Sequence, residues 1–227
     1  MFHHNLLPIL LAISSTISAA ALLPKPSPQR SPRGQSLILP ASGLPSPTGG
    51  LKYIAVGLGT QNYTCAATPG SSTAAPVSVG ALARLFNARH YLELHTDQID
   101  KLSGSVLDLS TKSKGAMDPQ SMGIPYLGQH FFTAAPASPE FDLIIVGARL
   151  VAKKLANVAA PSGAHSGPHK AGAVDWLALG DNGAGLGLGG VVSAYRVETA
   201  GGKASATCSG NKGAFTVPYA AQYWFYG

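Results

Sequence analysis

The chain has 227 residues and a net charge of +6, a length that suits one domain of ordinary size. Charged residues are 11% against 45% hydrophobic, and 27 glycines and 17 prolines punctuate the chain. That balance starves surface helices of Glu, Lys and Arg and points to a loop-rich β protein. The basic residues are scattered, with no Lys/Arg run interleaved with aromatics, so nucleic acid is not an expected partner.

Residues 1–21, MFHHNLLPILLAISSTISAAA, read as a secretory signal peptide. The apolar core from Leu6 to Ile17 is too short to span a bilayer, and Ser18 to Ala21 supply small residues for cleavage. No later run reaches the roughly 18 apolar residues of a membrane helix, so no transmembrane segment is expected. Residues 22–48 are Pro-rich and predict an extended linker or pro-segment. The folded domain is then 49–227, in a secreted, extracellular or cell-wall protein.

Leu51 to Val56 has the branched and aromatic character of a strand, and Gln61 to Ala66 reads as its continuation or its partner. Ala81 to Leu85 suits one helical turn, and Tyr91 to His95 alternates as a strand. Residues 103–127 are mostly turn chemistry. Gly128 to Thr133 and Phe141 to Val146 read as strands, whereas 149–159 fits a helix or a buried strand. Val174 to Leu179, Val191 to Thr199 and Phe215 to Tyr226 complete the set. Many short strands with Gly/Pro punctuation predict one all-β domain, an antiparallel sandwich or barrel.

Cys65 and Cys208 are the two cysteines of the chain. In a secreted protein such a pair reads as a disulfide. It closes a long loop, worth roughly 4 to 5 kcal/mol on the chain-entropy account. Asn62-Tyr63-Thr64 is a glycosylation sequon. Two lone cysteines do not make a zinc site, and Ser166-Gly167-Pro168 between His165 and His169 forbids the helix that would align those histidines, so no metal is expected.

Gly185 to Gly190, GLGLGG, matches the dinucleotide fingerprint letter for letter. That motif needs a helix opening on the glycines and an acid about 20 residues on. Here the following residues alternate as a strand, and the last acid, Glu198, comes too early. No cofactor is expected. Catalytic candidates are His130 as a general base, with Asp175 and Arg196 brought beside it by the fold. Candidates for stacking on a ligand are Trp176, Trp224 and Tyr226. Strand alternation sends Tyr223 and Phe225 to one face and Trp224 and Tyr226 to the other, so one set is core and the other is free to stack.

Val174 to Leu179, Tyr195 to Gly202, Cys208 and the ending VPYAAQYWFY at 217–226 resemble a secreted fungal and bacterial family, domain of unknown function three-four-five-five. The resemblance reaches back to Leu51-Lys52-Tyr53, Gln61 to Cys65 and Gly128-Gln129-His130. It implies an extracellular all-β domain without established activity. Some fungal members carry a malate dehydrogenase label. That enzyme needs a nucleotide domain and a substrate domain, about twice the folded residues present at ~150 per domain. The leading expectation is a non-enzymatic binding or cell-surface role, with cell-wall glycan as the partner. The alternative is an enzyme.

Overall fold

In the computed structural model the chain divides into two compact units, Met1–Arg33 and Gly34–Gly227. The described residues are 37–66, 73–134 and 137–227, with Met1 alone from the first unit. The expected signal peptide at 1–21, Met1 apart, and the Pro-rich segment up to residue 36 lie outside them.

Eight strands form the second unit: β1 (Leu51–Cys65), β2 (Val77–Asn87), β3 (Tyr126–Phe132), β4 (Pro139–Leu143), β5 (Ala148–Val158), β6 (Trp176–Asp181), β7 (Ser193–Gly201) and β8 (Gly213–Tyr226). Each pairs antiparallel with the next, and β8 returns to pair with β1 from Leu51↔Tyr226 to Cys65↔Gly213. The sheet is therefore a closed barrel, and of the two expected architectures the barrel is the one formed. Closure removes every free strand edge.

Alternation along the strands separates two cores. Ala55, Ala83, Leu85, Phe141, Ala152, Tyr219, Ala221, Tyr223 and Phe225 face inward. The small residues on β1, β2 and β5 make room for the large aromatics of β4 and β8. Gly57 shows how tight this fit is: a Cβ there would sit 2.8 Å from the Tyr223 ring and 3.2 Å from Leu85. The outward set, including Ile54, Val56, Trp176, Tyr195 and Trp224, is buried as well. Its cover is the long β2–β3 connection, which carries α1 (Arg89–Leu94) and α2 (Leu102–Lys112). Leu92, Leu102, Val106 and Leu107 lie on that cover. Burying an apolar side chain such as Phe225 or Phe86 stabilises the fold by roughly 1.5–3 kcal/mol. Leu37, Leu39 and Leu44, from the described part of the Pro-rich segment, also pack on the outer core.

Several expectations change. Ala81 to Leu85 is part of β2, not a helical turn: Ala81, Ala83 and Leu85 are buried while Leu82 and Arg84 are exposed, a period of two. Tyr91 to Leu94 is helix rather than strand. Only Leu92 of this stretch is buried, and Arg89 pairs with Glu93 at 3.0 Å across one helical turn. Residues 103–112, read as turns, are α2. Its buried Leu102, Ser103, Val106 and Leu107 follow helical spacing. Gly104 hid the helix, and its reason is tertiary: a Cβ would meet the His165 ring at 3.2 Å. The β4 strand ends at Leu143, and Ile144–Val146 is a 3-10 turn. The ambiguous 149–159 segment is strand β5.

Candidate functional site

The interior is filled towards the end that holds Leu143, Ala148, Val191 and Phe225. At the other end, where β1–β2, β3–β4, β5–β6 and β7–β8 are joined, the barrel opens into a cavity of about 630 Å³. Its walls carry Ala81, Phe132, Ala152, Val174, Leu177 and Leu179. Its polar groups come from Gln61, Tyr63, His130, Asp175, Arg196 and Tyr223, and Lys153, Lys154 and Lys203 add cationic side chains. The disulfide Cys65–Cys208 ties the end of β1 to the β7–β8 connection beside this mouth.

His130 is an inward position of β3, paired with Phe141 across β4. Its ring lies flat on Phe141, with centroids 4.3 Å apart and planes 9° apart, and Tyr223 flanks it at 5.6 Å. Nδ1 lies 2.8 Å from the Glu140 carbonyl oxygen, which can only accept, so Nδ1 carries the proton. Nε2 is then a lone-pair acceptor in a residue that lines the cavity. Burial pushes the imidazole pKa down to about 4, partly opposed by the Glu140 bond and aided by the Arg196 charge. His130 is neutral at physiological pH.

Arg196, on β7 opposite Tyr223, enters the mouth from the next wall. Nε and Nη2 both donate to the Asp175 carbonyl oxygen, at 3.1 and 2.8 Å. The guanidinium lies close enough to Tyr223 for its charge to act on that phenol, and it is felt at Tyr63 and Tyr219 too. It belongs to none of the ion pairs formed among the described residues. The Asp175 carboxylate accepts from Asn157 Nδ2 at 3.1 Å instead. Behind Tyr223, its hydroxyl lies 3.0 Å from that of Tyr219, and Gln61 Nε2 is buried with no hydrogen-bonded acceptor.

The three catalytic candidates thus line one cavity, but they are not a relay. His130 is oriented by a backbone carbonyl, and the groups packed against its ring are Phe132, Phe141 and Tyr223. Gln61, and the pairing of the Tyr219 and Tyr223 hydroxyls, are not read from the sequence as parts of a site. Inward parity was their signal, since Gln61 shares its parity with Ala55, and Tyr219 shares its own with Tyr223 and Phe225.

The stacking candidates are corrected. Trp176 is 3%, Trp224 0% and Tyr226 6% exposed, all within the outer core. Alternation does send them away from Tyr223 and Phe225, but the α1–α2 connection and the leucines of 37–44 cover that face. Asn62 is half-buried on β1, and its Oδ1 accepts from the Thr60 hydroxyl at 3.1 Å. Gly185 to Gly190 lies in the β6–β7 connection and leads into β7, not a helix. Leu188 exchanges backbone hydrogen bonds with Arg149, and a Cβ on Gly189 would meet that of Ala148 at 2.7 Å. Glycine there permits close backbone approach. No group of three or more metal-ligating side chains gathers among the described residues.

A family model described as Protein of unknown function (DUF3455) matches residues 45–227. The chain belongs to that family. The DUF3455 match takes in all eight strands, both cysteines and every residue of the mouth. No curated protein and no solved structure matches the chain.

Two groups, His130 in the mouth and Glu198 outside it, respond to pH in opposite senses. Glu198, at a β7 bulge and held at φ 47°, has its carboxyl pushed up to about 7 from 4.5 by burial and by Asp100. Between about 4 and 6.5 the unfolded chain takes up the proton that folded His130 refuses, so stability falls as pH falls through that window. The full effect is on the order of 3 kcal/mol. Glu198 acts oppositely. Folded Glu198 binds a proton between about 4.5 and 7 that the unfolded chain does not, so stability rises as pH falls there. Its half-exposed position weakens that contribution. Glu198→Gln removes the opposing group, and the variant should lose more stability than the parent between pH 7 and pH 4.5, the window of the Glu198 shift. Urea unfolding at the two pH values measures this. Parallel losses in both proteins would contradict it.

Proposed function

We propose that the protein is a secreted, non-enzymatic binding protein that holds a small organic ligand in the open end of its barrel. The observation that carries this reading is the cavity itself. At about 630 Å³ it falls in the range of small-molecule sites, roughly 300–1,000 Å³. Its mostly apolar walls and few convergent polar groups fit the same pattern, and an eight-stranded barrel is wide enough for one small ligand. A small ligand suits it better than a glycan chain, because the aromatics that would stack on sugar are buried. Binding suits it better than catalysis, because no nucleophile is hydrogen-bonded to His130 Nε2 among the described residues.

A neutral naphthylamine fluorophore tests the site. We expect saturable enhancement with the parent protein and at least tenfold weaker binding to Leu177→Trp, which fills the mouth. Equal binding to both proteins would place the ligand elsewhere. Secretion is supported by the signal-like 1–21 sequence and the disulfide, and Asn62 is the expected glycan acceptor. No helix among the described residues is long and apolar enough to cross a membrane. The N-terminus of protein recovered from culture medium should be Leu22. Retention of Met1 in that protein would remove the signal-peptide assignment.

A further inference from the structure

We propose that the ligand is an amphipathic organic carboxylate, its head group seated on Arg196 and its apolar body lying along Val174, Leu177 and Leu179. This rests on the barrel mouth being the ligand site. Arg196 is the forked cation of the mouth. Its charge stands at the edge of an apolar barrel, yet its hydrogen-bond acceptor is a backbone carbonyl and its neighbour Tyr223 is a phenol, both neutral. Neutral acceptors fix the orientation of a guanidinium without cancelling its charge. The fork has five N–H donors, and these contacts leave donors uncommitted. A carboxylate supplies the missing charge and two oxygens matched to a planar fork.

Other groups point the same way. Gln61 Nε2 is a buried donor that faces the Tyr219 hydroxyl without a well-formed hydrogen bond, in a residue that is 5% exposed and lines the cavity. A ligand oxygen would satisfy it. Lys153, Lys154 and Lys203 share the cavity lining with Asp175 as the one carboxylate, so the mouth attracts anions from solution. His130 offers Nε2 as an acceptor and no donor, which keeps an oxyanion at Arg196 and away from the stacked rings. The planar fork of Arg196 matches the two oxygens of a carboxylate, and the apolar walls need an apolar body. A dianionic phosphate would meet more repulsion from the Asp175 carboxylate than a monoanionic carboxylate does.

The test is displacement of the neutral naphthylamine fluorophore from the full secreted protein. Two matched pairs are used, dodecanoate against dodecanol and naphthoate against naphthylmethanol, with dodecyl phosphate beside them. We expect the acid to bind at least tenfold more tightly than its alcohol in one pair or both. Arg196→Gln should bring the acid down to the level of its alcohol, both being compared on that same variant. Arg196→Lys, which keeps the charge and loses the fork, should fall between. The acid–alcohol comparison on the parent protein needs no variant, so a misfolded Arg196→Gln does not block the test. Acid and alcohol equal in both pairs would overturn the carboxylate while leaving the mouth as a binding site. Tighter binding of dodecyl phosphate than of dodecanoate would also overturn it. A parent protein that binds neither the fluorophore nor any acid would overturn the mouth reading itself.

Discussion

Replacing both Cys65 and Cys208 by serine should lower the stability of the protein by about 5 kcal/mol on the chain-entropy account, with about 2 kcal/mol as the low end for native disulfides. The sequence separation of 143 residues makes this the largest single constraint on the unfolded chain. The folded state loses little directly. Strands β1 and β8 remain paired up to Cys65↔Gly213, and Cys208 N–H still donates to the Ala74 carbonyl at 2.7 Å. The cost therefore falls on the unfolded ensemble, which regains the freedom of most of the domain. Both cysteines are 3% exposed, so serine also buries two hydroxyls, and Cys65→Ala with Cys208→Ala separates that effect from the loop closure. The midpoint of urea unfolding reports the change. A loss below about 1 kcal/mol in the alanine pair would mean that the cross-link does not restrain the unfolded chain as the entropic account requires.

The barrel strands were legible because their chemistry is local. The C-terminal β8 has aromatics at alternate positions, and the two faces it predicts are the inner and outer cores. The barrel mouth was legible only in pieces. His130, Asp175 and Arg196 were chosen separately, by residue type, and only the register β3–β4 and β6–β7–β8 sets them around one cavity. What the sequence hid is long-range. Gly104 looks like a turn residue because its reason, the His165 ring, is far along the chain. Trp176, Trp224 and Tyr226 looked free because the α1–α2 cover is encoded in a connection that reads as turns. Small inward residues such as Ala81 and Ala83 carry weak strand propensity, and their place was decided by the aromatics they face.

Phe141→Ala should cost about 3–5 kcal/mol and should also release His130. Phe141 is fully buried on β4. Its ring is stacked on His130 and meets Tyr223 and Phe225 edge-on, at 5.1 Å and 5.4 Å between centroids. Deleting it leaves a void between the filled half of the barrel and the open mouth, and backbone pairing on both sides of β4 limits collapse into that void. Phe141→Leu keeps most of the volume and should cost less than about 1.5 kcal/mol, though it too removes the stacking. The second readout separates packing from electrostatics. Burial is the main cause that holds the His130 pKa down to about 4. Once the void connects to the mouth, water reaches the imidazole and its pKa should climb towards the ordinary 6.5. NMR titration of the His130 ring protons in the parent and in Phe141→Ala measures this. A large stability loss with an unmoved pKa would show that the rest of the barrel wall and the Arg196 charge, not the Phe141 ring, keep His130 neutral against the Glu140 bond. A raised pKa would also add a positive charge beside the stacked rings of the mouth as pH falls towards 6.5, and carboxylates should then bind the variant with a dependence on acid that the parent lacks.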